Sequence, residues 1–166
     1  MATVLLGPTT VNLNGELPHV GSVAPAFVLT GTDLKDVSLE SFGGKNVILN
    51  IFPSIDTRVC AMSVREFNKR AASLKDTVVL CIAKDLPFAM KRFCGAEGIS
   101  NVITLSDFRS PHFVDAYGVK MIDGGMSGLM ARAVVVVGKD GKVVYTELVP
   151  LIGQEPDYNA ALGAIH

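Results

Sequence analysis

The stretch Asn46-Val-Ile-Leu-Asn-Ile-Phe52, running into Pro53-Ser-Ile-Asp-Thr57-Arg-Val-Cys60, decides the reading of this chain. Its first seven residues are a β-rich apolar run entered through Gly43-Gly44-Lys45, the pattern of a central strand. From Asp56 onward the period changes. Cys60, Val64, Phe67, Ala71 and Leu74 recur at spacings of three and four, on one face of a helix. The chain therefore passes from strand through a proline break into an amphipathic helix, with Cys60 in the first turn and pointing inward.

Outward from this unit the alternation continues. Thr77 to Ala83 is a second continuous apolar strand. Asp85 as N-cap and Pro87 near the first helical position open a helix expected to end at Cys94-Gly95. Val102 to Leu105 reads as a short strand and Pro111 to Tyr117 as a helix stopped by Gly118. Ala133 to Val137 and Val143 to Glu147 form a hairpin across Lys139-Asp140-Gly141-Lys142, and Asp157 to the C-terminus closes the chain as a helix. Before the central strand, Thr3 to Leu6 and Thr10 to Leu13 flank Gly7-Pro8 as an opening β-hairpin, with Phe27 to Leu29 and Val37 to Leu39 as further short strands. This order predicts an α/β fold, a central mixed β-sheet flanked by helices on both faces, with an N-terminal β-hairpin. Repeats, linkers and low-complexity tracts are lacking, and 166 residues are expected to form a single domain, 1–166.

Composition excludes several classes. Fifteen Lys plus Arg against sixteen Asp plus Glu give a net charge of −1 without basic or acidic blocks, which favours neither nucleic acid nor an anionic membrane as partner. The apolar runs are too short to span a bilayer, and no basic segment followed by a hydrophobic stretch opens the chain, so a cytoplasmic location is expected. Hydrophobic residues at 49% and a mean hydropathy of +0.39 are high, and leave apolar surface over for a partner subunit or an oily substrate. Three cysteines, at 60, 81 and 94, are too few for a disulfide scaffold and lack the close pairs of a zinc site or a Cys-x-x-Cys reductase.

A cysteine in the first turn of a helix meets unpaired backbone N–H groups and the positive end of the macrodipole, both of which favour thiolate over thiol. Thr57, three residues earlier, can cap that helix and turn its hydroxyl toward the sulfur, and Pro53 ends the strand and walls water off. The plainer alternative is a small hydrophobe on an amphipathic face, as most free cysteines are.

The pattern Pro-x-x-x-Thr-x-x-Cys, filled by Pro53, Thr57 and Cys60, resembles the active-site signature of the peroxiredoxins. Val59-Cys60-Ala61, Ser63-Val-Arg65, Val78-Val-Leu-Cys-Ile82, Asp85-Leu-Pro-Phe-Ala89, Arg92-Phe-Cys-Gly-Ala-Glu-Gly98 and Gly128 to Val135 extend the resemblance to the bacterial thiol peroxidases, atypical two-cysteine members of that family. It covers nearly the whole chain, to Glu155-Pro-Asp-Tyr158. The resemblance implies a thioredoxin-like fold with Cys60 as peroxidatic and Cys94 as resolving cysteine, and with Thr57 and Arg132 completing the site around Pro53. It also implies hydroperoxide substrates, an intramolecular Cys60–Cys94 disulfide, thioredoxin as reductant, a homodimer, and neither cofactor nor metal. Arg58 stands where the family is expected to carry a small residue, proline or lysine, and Met62 where a small residue is usual. Met126 and Met130 make the loop before Arg132 bulkier than expected.

Helix position agrees with this division of labour, since Cys94 is expected near a helix end, where the dipole disfavours an anion. Cys81, within an apolar strand, reads as a buried structural residue. Arg132, between Ala131 and Ala133 after Gly124-Gly-Met-Ser-Gly128, lies where an exposed charge is less expected, although a lone arginine before a strand is commonly a solvated charge. A guanidinium there can hold a thiolate and a peroxide oxygen together. Lowering a thiol pKa from about 8.5 to about 6 raises the thiolate fraction at pH 7 only about thirtyfold, so orientation and stabilisation of the leaving oxygen must supply the rest. His19 and His112 could serve Cys60 in a cysteine hydrolase, but neither has a recognisable context. A peroxide sensor and a non-enzymatic interaction module remain as alternatives.

Overall fold

The structure is a computed structural model and describes residues 2–165. Seven strands form one mixed sheet in the order β4-β3-β7-β6-β5-β8-β9. At its centre β5 (Asn46–Ile51) pairs in parallel with β6 (Thr77–Ala83), and β6 with β7 (Ile103–Ser106). On the other side β8 (Ala133–Val137) runs antiparallel to β5, and β9 (Val143–Leu148) antiparallel to β8. The far edge is built by β3 (Val28–Thr30) and β4 (Asp36–Ser38), followed by a single 3-10 turn, Leu39–Phe42. A separate two-stranded hairpin, β1 (Thr3–Leu6) and β2 (Thr9–Asn12), stands as expected at the N-terminal side.

The period of two along the central strands divides the core. Val47, Leu49 and Ile51 of β5 join Leu80, Ile82, Val135 and Val137 on one face, where Phe27, Phe113 and Tyr117 cover them. Ile48 and Phe52 point the other way with Val79, Cys81, Val134 and Val136, under the helices that carry Cys60, Met90 and Ala161. All six residues of β5 are buried, which explains an uninterrupted apolar run instead of an alternating one.

The helices are α1 (Arg58–Ala71), α2 (Pro87–Glu97), α3 (His112–Tyr117) and α4 (Tyr158–Gly163). Asp157 caps α4 by accepting from the Ala160 N–H at 3.0 Å. The helix expected from Asp157 onward thus ends at Gly163, and its expected last residue, His166, lies outside the described residues.

Two expectations for α2 are corrected. Its N-cap is Leu86, not Asp85, and no side chain caps it. The Asp85 carboxylate is turned instead to the loop after β5, where it accepts from Ser54 Oγ at 2.7 Å and from the Ile55 N–H at 2.8 Å. At the other end the helix runs past Gly95 to Glu97 and stops at Gly98, whose φ of 65° is the left-handed conformation that glycine adopts without strain. The Cys94 carbonyl accepts from the N–H groups of Gly98 and Ile99, so Cys94 still lies in the last turn. Among the described residues no helix is long and apolar enough to cross a membrane.

Candidate active site

Phe52 leaves β5 on the helix-covered face, and Pro53 breaks the strand. The next four residues fold into a tight loop that launches α1. Ser54 is its pivot: its carbonyl accepts from the Thr57 N–H at 3.1 Å and from the Thr57 hydroxyl at 2.9 Å, and its own hydroxyl donates to Asp85. Thr57 occupies the N-cap with extended backbone, but its hydroxyl caps no helix N–H. That part of the expectation is corrected: the hydroxyl is held by Ser54, and only its oxygen lone pairs remain free to accept. The first helical i−4 bond is donated by Ala61 to Thr57, so the N–H groups of Arg58, Val59 and Cys60 form the open end of α1.

Cys60 has no solvent exposure. Arg132, 1% exposed and one residue before β8, reaches across to it, with Nη2 donating to Sγ at 3.3 Å. The same guanidinium is gripped by one main-chain oxygen: Nε and Nη2 donate to the Ile152 carbonyl at 3.1 and 2.9 Å. Nη1 is buried with no partner. A donor so placed is costly unless something accepts from it. Arg132 is therefore a buried cation locked onto the sulfur with one arm left over.

Ile152 was not legible as part of the site. Its N–H donates to the Leu5 carbonyl at 2.9 Å, and the Leu5 N–H donates to Pro150 at 2.8 Å. The N-terminal hairpin thereby holds the segment that holds Arg132, and Val4, Val11 and Ile152 share a small apolar cluster beneath it. Asn50 and Ser63 were missed as well. Buried in the middle of β5, Asn50 donates through Nδ2 to Ser63 Oγ at 3.2 Å, and Ser63 donates to the Cys60 carbonyl at 2.7 Å.

A cavity of about 330 Å3 lies outside the sulfur, lined by Pro53, Thr57 and Arg132 together with Leu6, Val59, Met126 and Ile152. Pro53, Thr57 and Arg132 are thus brought together at the cavity, with Cys60 in contact with Arg132. Of the residues at which the chain departs from the expected pattern, Arg58 and Met126 line this cavity. Met130 is buried in the core beyond it, and Met62 is half-buried off its wall. His19 and His112 are both exposed and line no part of it, so neither supplies Cys60 with an imidazole base.

Cys94 is not in this constellation. It is half-buried and borders a different cavity, of about 480 Å3, with Lys91, Gly95 and Thr104; the two cavities share no lining residue. All three cysteines are free thiols. Burial pushes the Cys81 thiol up to about 12, opposed by a contact from Asn50 Nδ2 at 3.7 Å. Burial also raises Cys94, opposed by the Thr104 hydroxyl. Both therefore stay protonated at neutral pH, and Cys60 alone has a guanidinium at its sulfur. Among the described residues, no group of three or more His, Cys, Asp or Glu could hold a metal ion.

Sequence and fold comparisons place the chain among known proteins. The Redoxin family model matches residues 19–162. The thiol peroxidase of Mycobacterium tuberculosis (strain H37Rv) is 60% identical over 165 residues, 99% of each chain. The crystal structure of a peroxiredoxin-like protein from Aquifex aeolicus superimposes with a TM-score of 0.91 at 37% identity, covering 97% of this chain and 94% of that one. The thiol peroxidase from Chromobacterium violaceum, at 24% identity, shares the fold with a TM-score of 0.89 over 97% of this chain and 93% of its own. The fold is the thioredoxin-like one that the sequence implied. With a family match across most of its length and a 60% identical thiol peroxidase aligned nearly end to end, the chain belongs to the Redoxin family and is an enzyme of its thiol peroxidase group.

Proposed function

We propose that Cys60 is the peroxidatic cysteine of a hydroperoxide reductase and that Cys94 resolves it. The observation that carries this reading is the 3.3 Å contact from Arg132 Nη2 to Cys60 Sγ beside an Nη1 with no partner. One arm stabilises the thiolate and the other awaits an oxygen. The thiolate attacks the terminal, hydrogen-bearing oxygen of ROOH. An S–O bond forms, the O–O bond breaks, and RO⁻ leaves with the electron pair and takes a proton from water to become ROH. Nη1 donates to the oxygen on which charge develops, as a preorganised donor. Cys60 has no exposed surface, so only the narrow –OOH end can reach it, as the cavity wall gives slightly.

The resulting Cys60 sulfenic acid condenses with the Cys94 thiol, releasing water and leaving a disulfide within one chain. An external dithiol then returns both sulfurs to thiols, and thioredoxin is the reductant that the family resemblance supports. Hydrogen peroxide and alkyl hydroperoxides are both substrates on this reading. We further propose a cytoplasmic homodimer of single-domain chains that needs no cofactor or metal. The deciding experiment is single-turnover oxidation of the reduced protein by one equivalent of hydrogen peroxide, read by mass spectrometry. The wild type should lose two hydrogens as a Cys60–Cys94 disulfide, and Cys94→Ser should stop at a sulfenic acid on Cys60. An adduct on any other cysteine would refute the assignment.

A further inference from the structure

The cavity outside Cys60 carries an asymmetry that reduction of a neutral peroxide does not require. Its walls are apolar, from Leu6, Val59, Met126 and Ile152, and its charged lining residues are Arg58 and Arg132, with no acid among them. Nε and Nη2 of Arg132 are committed to Ile152 and Cys60, and its remaining arm, Nη1, is buried beside the sulfur. Arg58 is neither committed nor buried. It is exposed at the first position of α1 and, alone among the arginines of the described residues, has no hydrogen bond or ion pair. The nearby Asp56 is already taken by Arg92 at 3.1 Å.

Fold stability does not explain that placement. A cation at a helix N-terminus is opposed by the macrodipole, and the first turn of α1 holds no acidic residue to offset it. What Arg58 does supply is a free guanidinium on the rim of an apolar cavity, with Arg132 at its floor. Such a fork matches a carboxylate, bidentate and charge-assisted. At about 330 Å3 the cavity is at the small end of ligand sites, suited to a single acyl chain.

We infer that Arg58 is a specificity residue that selects hydroperoxides bearing an anionic carboxylate on an apolar chain, fatty-acid hydroperoxides being the chemical class, over their neutral counterparts. This rests on the peroxidase reading above. The –OOH end meets Cys60 and Arg132, the chain lies against Leu6, Val59 and Met126, and the carboxylate pairs with Arg58. No new covalent step is involved.

The test compares a medium-chain fatty-acid hydroperoxide with its own methyl ester, in single-turnover oxidation of Cys60 without reductant, with hydrogen peroxide as reference. A partly exposed ion pair gives about a three- to fivefold preference for the acid in the wild type. The acid-to-ester ratio should fall to about one in Arg58→Met, stay above one in Arg58→Lys, drop below one in Arg58→Glu, and shrink with added salt. A wild-type ratio of one overturns the inference, as does a ratio unchanged in Arg58→Met. So does an effect confined to the reductive half-reaction, which would make Arg58 a contact for the reductant. If none of the three peroxides oxidises Cys60, the peroxidase reading itself fails and this inference falls with it.

Discussion

At the scale of single residues, the three cysteines make separable predictions. Cys60→Ser should abolish peroxidase turnover, because a hydroxyl cannot replace the thiolate nucleophile; residual turnover would place the chemistry elsewhere. Cys81→Ser should keep most activity and lose about 1–3 kcal/mol of stability by burying a hydroxyl, measured as a lower urea midpoint. Loss of turnover with the fold intact would assign Cys81 a part in the chemistry. Arg132→Met should slow peroxide reduction at least tenfold, and by more than the loss of thiolate that an ultraviolet pH titration registers, because Nη1 orients the peroxide as well. Equal losses would reduce the arginine to a holder of charge. Pro53, Thr57 and Cys60 could be picked out in the sequence because they fill one recognisable spacing, whereas Arg132 was picked out only through the family resemblance. The Ile152 carbonyl could not, since a main-chain acceptor has no residue signature and lies twenty positions from its partner. Nor could the Asn50–Ser63 link, whose asparagine sits inside an apolar run that reads as plain strand.

At the scale of elements, Cys60 and Cys94 sit on two different helices, α1 and α2. Cys60 is buried behind one cavity and Cys94 borders another, and the segments of α1 and α2 are tied together: Arg65 grips Glu97 at 2.7 Å, Arg92 reaches Asp56, and Asn68 accepts from the N–H groups of Ser100 and Asn101. The proposed disulfide would therefore require the last turn of α2 and the first of α1 to open, and helix ends unfold at low free energy. Gly95 sits exposed in that last turn, with nothing near the position a Cβ would take. Gly95→Ala should stabilise α2 by about 0.5–1 kcal/mol. It should slow disulfide formation after a peroxide pulse and leave more Cys60 to be oxidised further to sulfinic acid, which intact-mass analysis would detect. Unchanged resolution kinetics would show that α2 need not open there. The Arg65 hydrogen bond holds the Glu97 carboxyl below its ordinary value. The contribution of this pair is thus present above the ordinary carboxylate range and is lost as pH falls through the lowered value, so amide protection near Cys94, corrected for the intrinsic pH dependence of exchange, should fall relative to the central strands in acid. The strands β5, β6 and β8 were legible within a residue or so because runs buried on both faces leave no choice of period. The ends of α2 were not. Asp85 is drawn from its local capping role by a contact with Ser54 thirty-one positions away, and with glycines at 95 and 98 only the observed backbone shows which one stops the helix.

At the scale of the whole molecule, the sheet divides two cores, and segments far apart in sequence are locked where chain passes close to chain. Gly118 is such a place: its φ is 65°, and a Cβ there would run into the Glu16 backbone. Gly118→Ala should cost on the order of 3 kcal/mol from the left-handed conformation and the clash together, lowering the thermal midpoint. Gly163→Ala, at the end of α4 with open space around it and no positive φ, should leave that midpoint unchanged or slightly higher. If the two variants behaved alike, the packing of the 14–18 segment against α3 would contribute little. The overall architecture followed from the alternation of elements, but this pinning did not, because it depends on backbone from two distant segments sharing one space. The N-terminal hairpin belongs to the same class of long-range dependence. Its Leu5 secures Ile152, and Ile152 secures Arg132, so on the proposed mechanism β1 and β2 would act on catalysis without touching the sulfur. The pair forms a sheet of its own, apart from the seven-stranded one. An enzyme arranged in this way lends itself to fragment complementation: clipped after the hairpin, the remaining chain would be a folded but silent peroxidase, and a synthetic peptide spanning residues 2–13 would be the key that restores it.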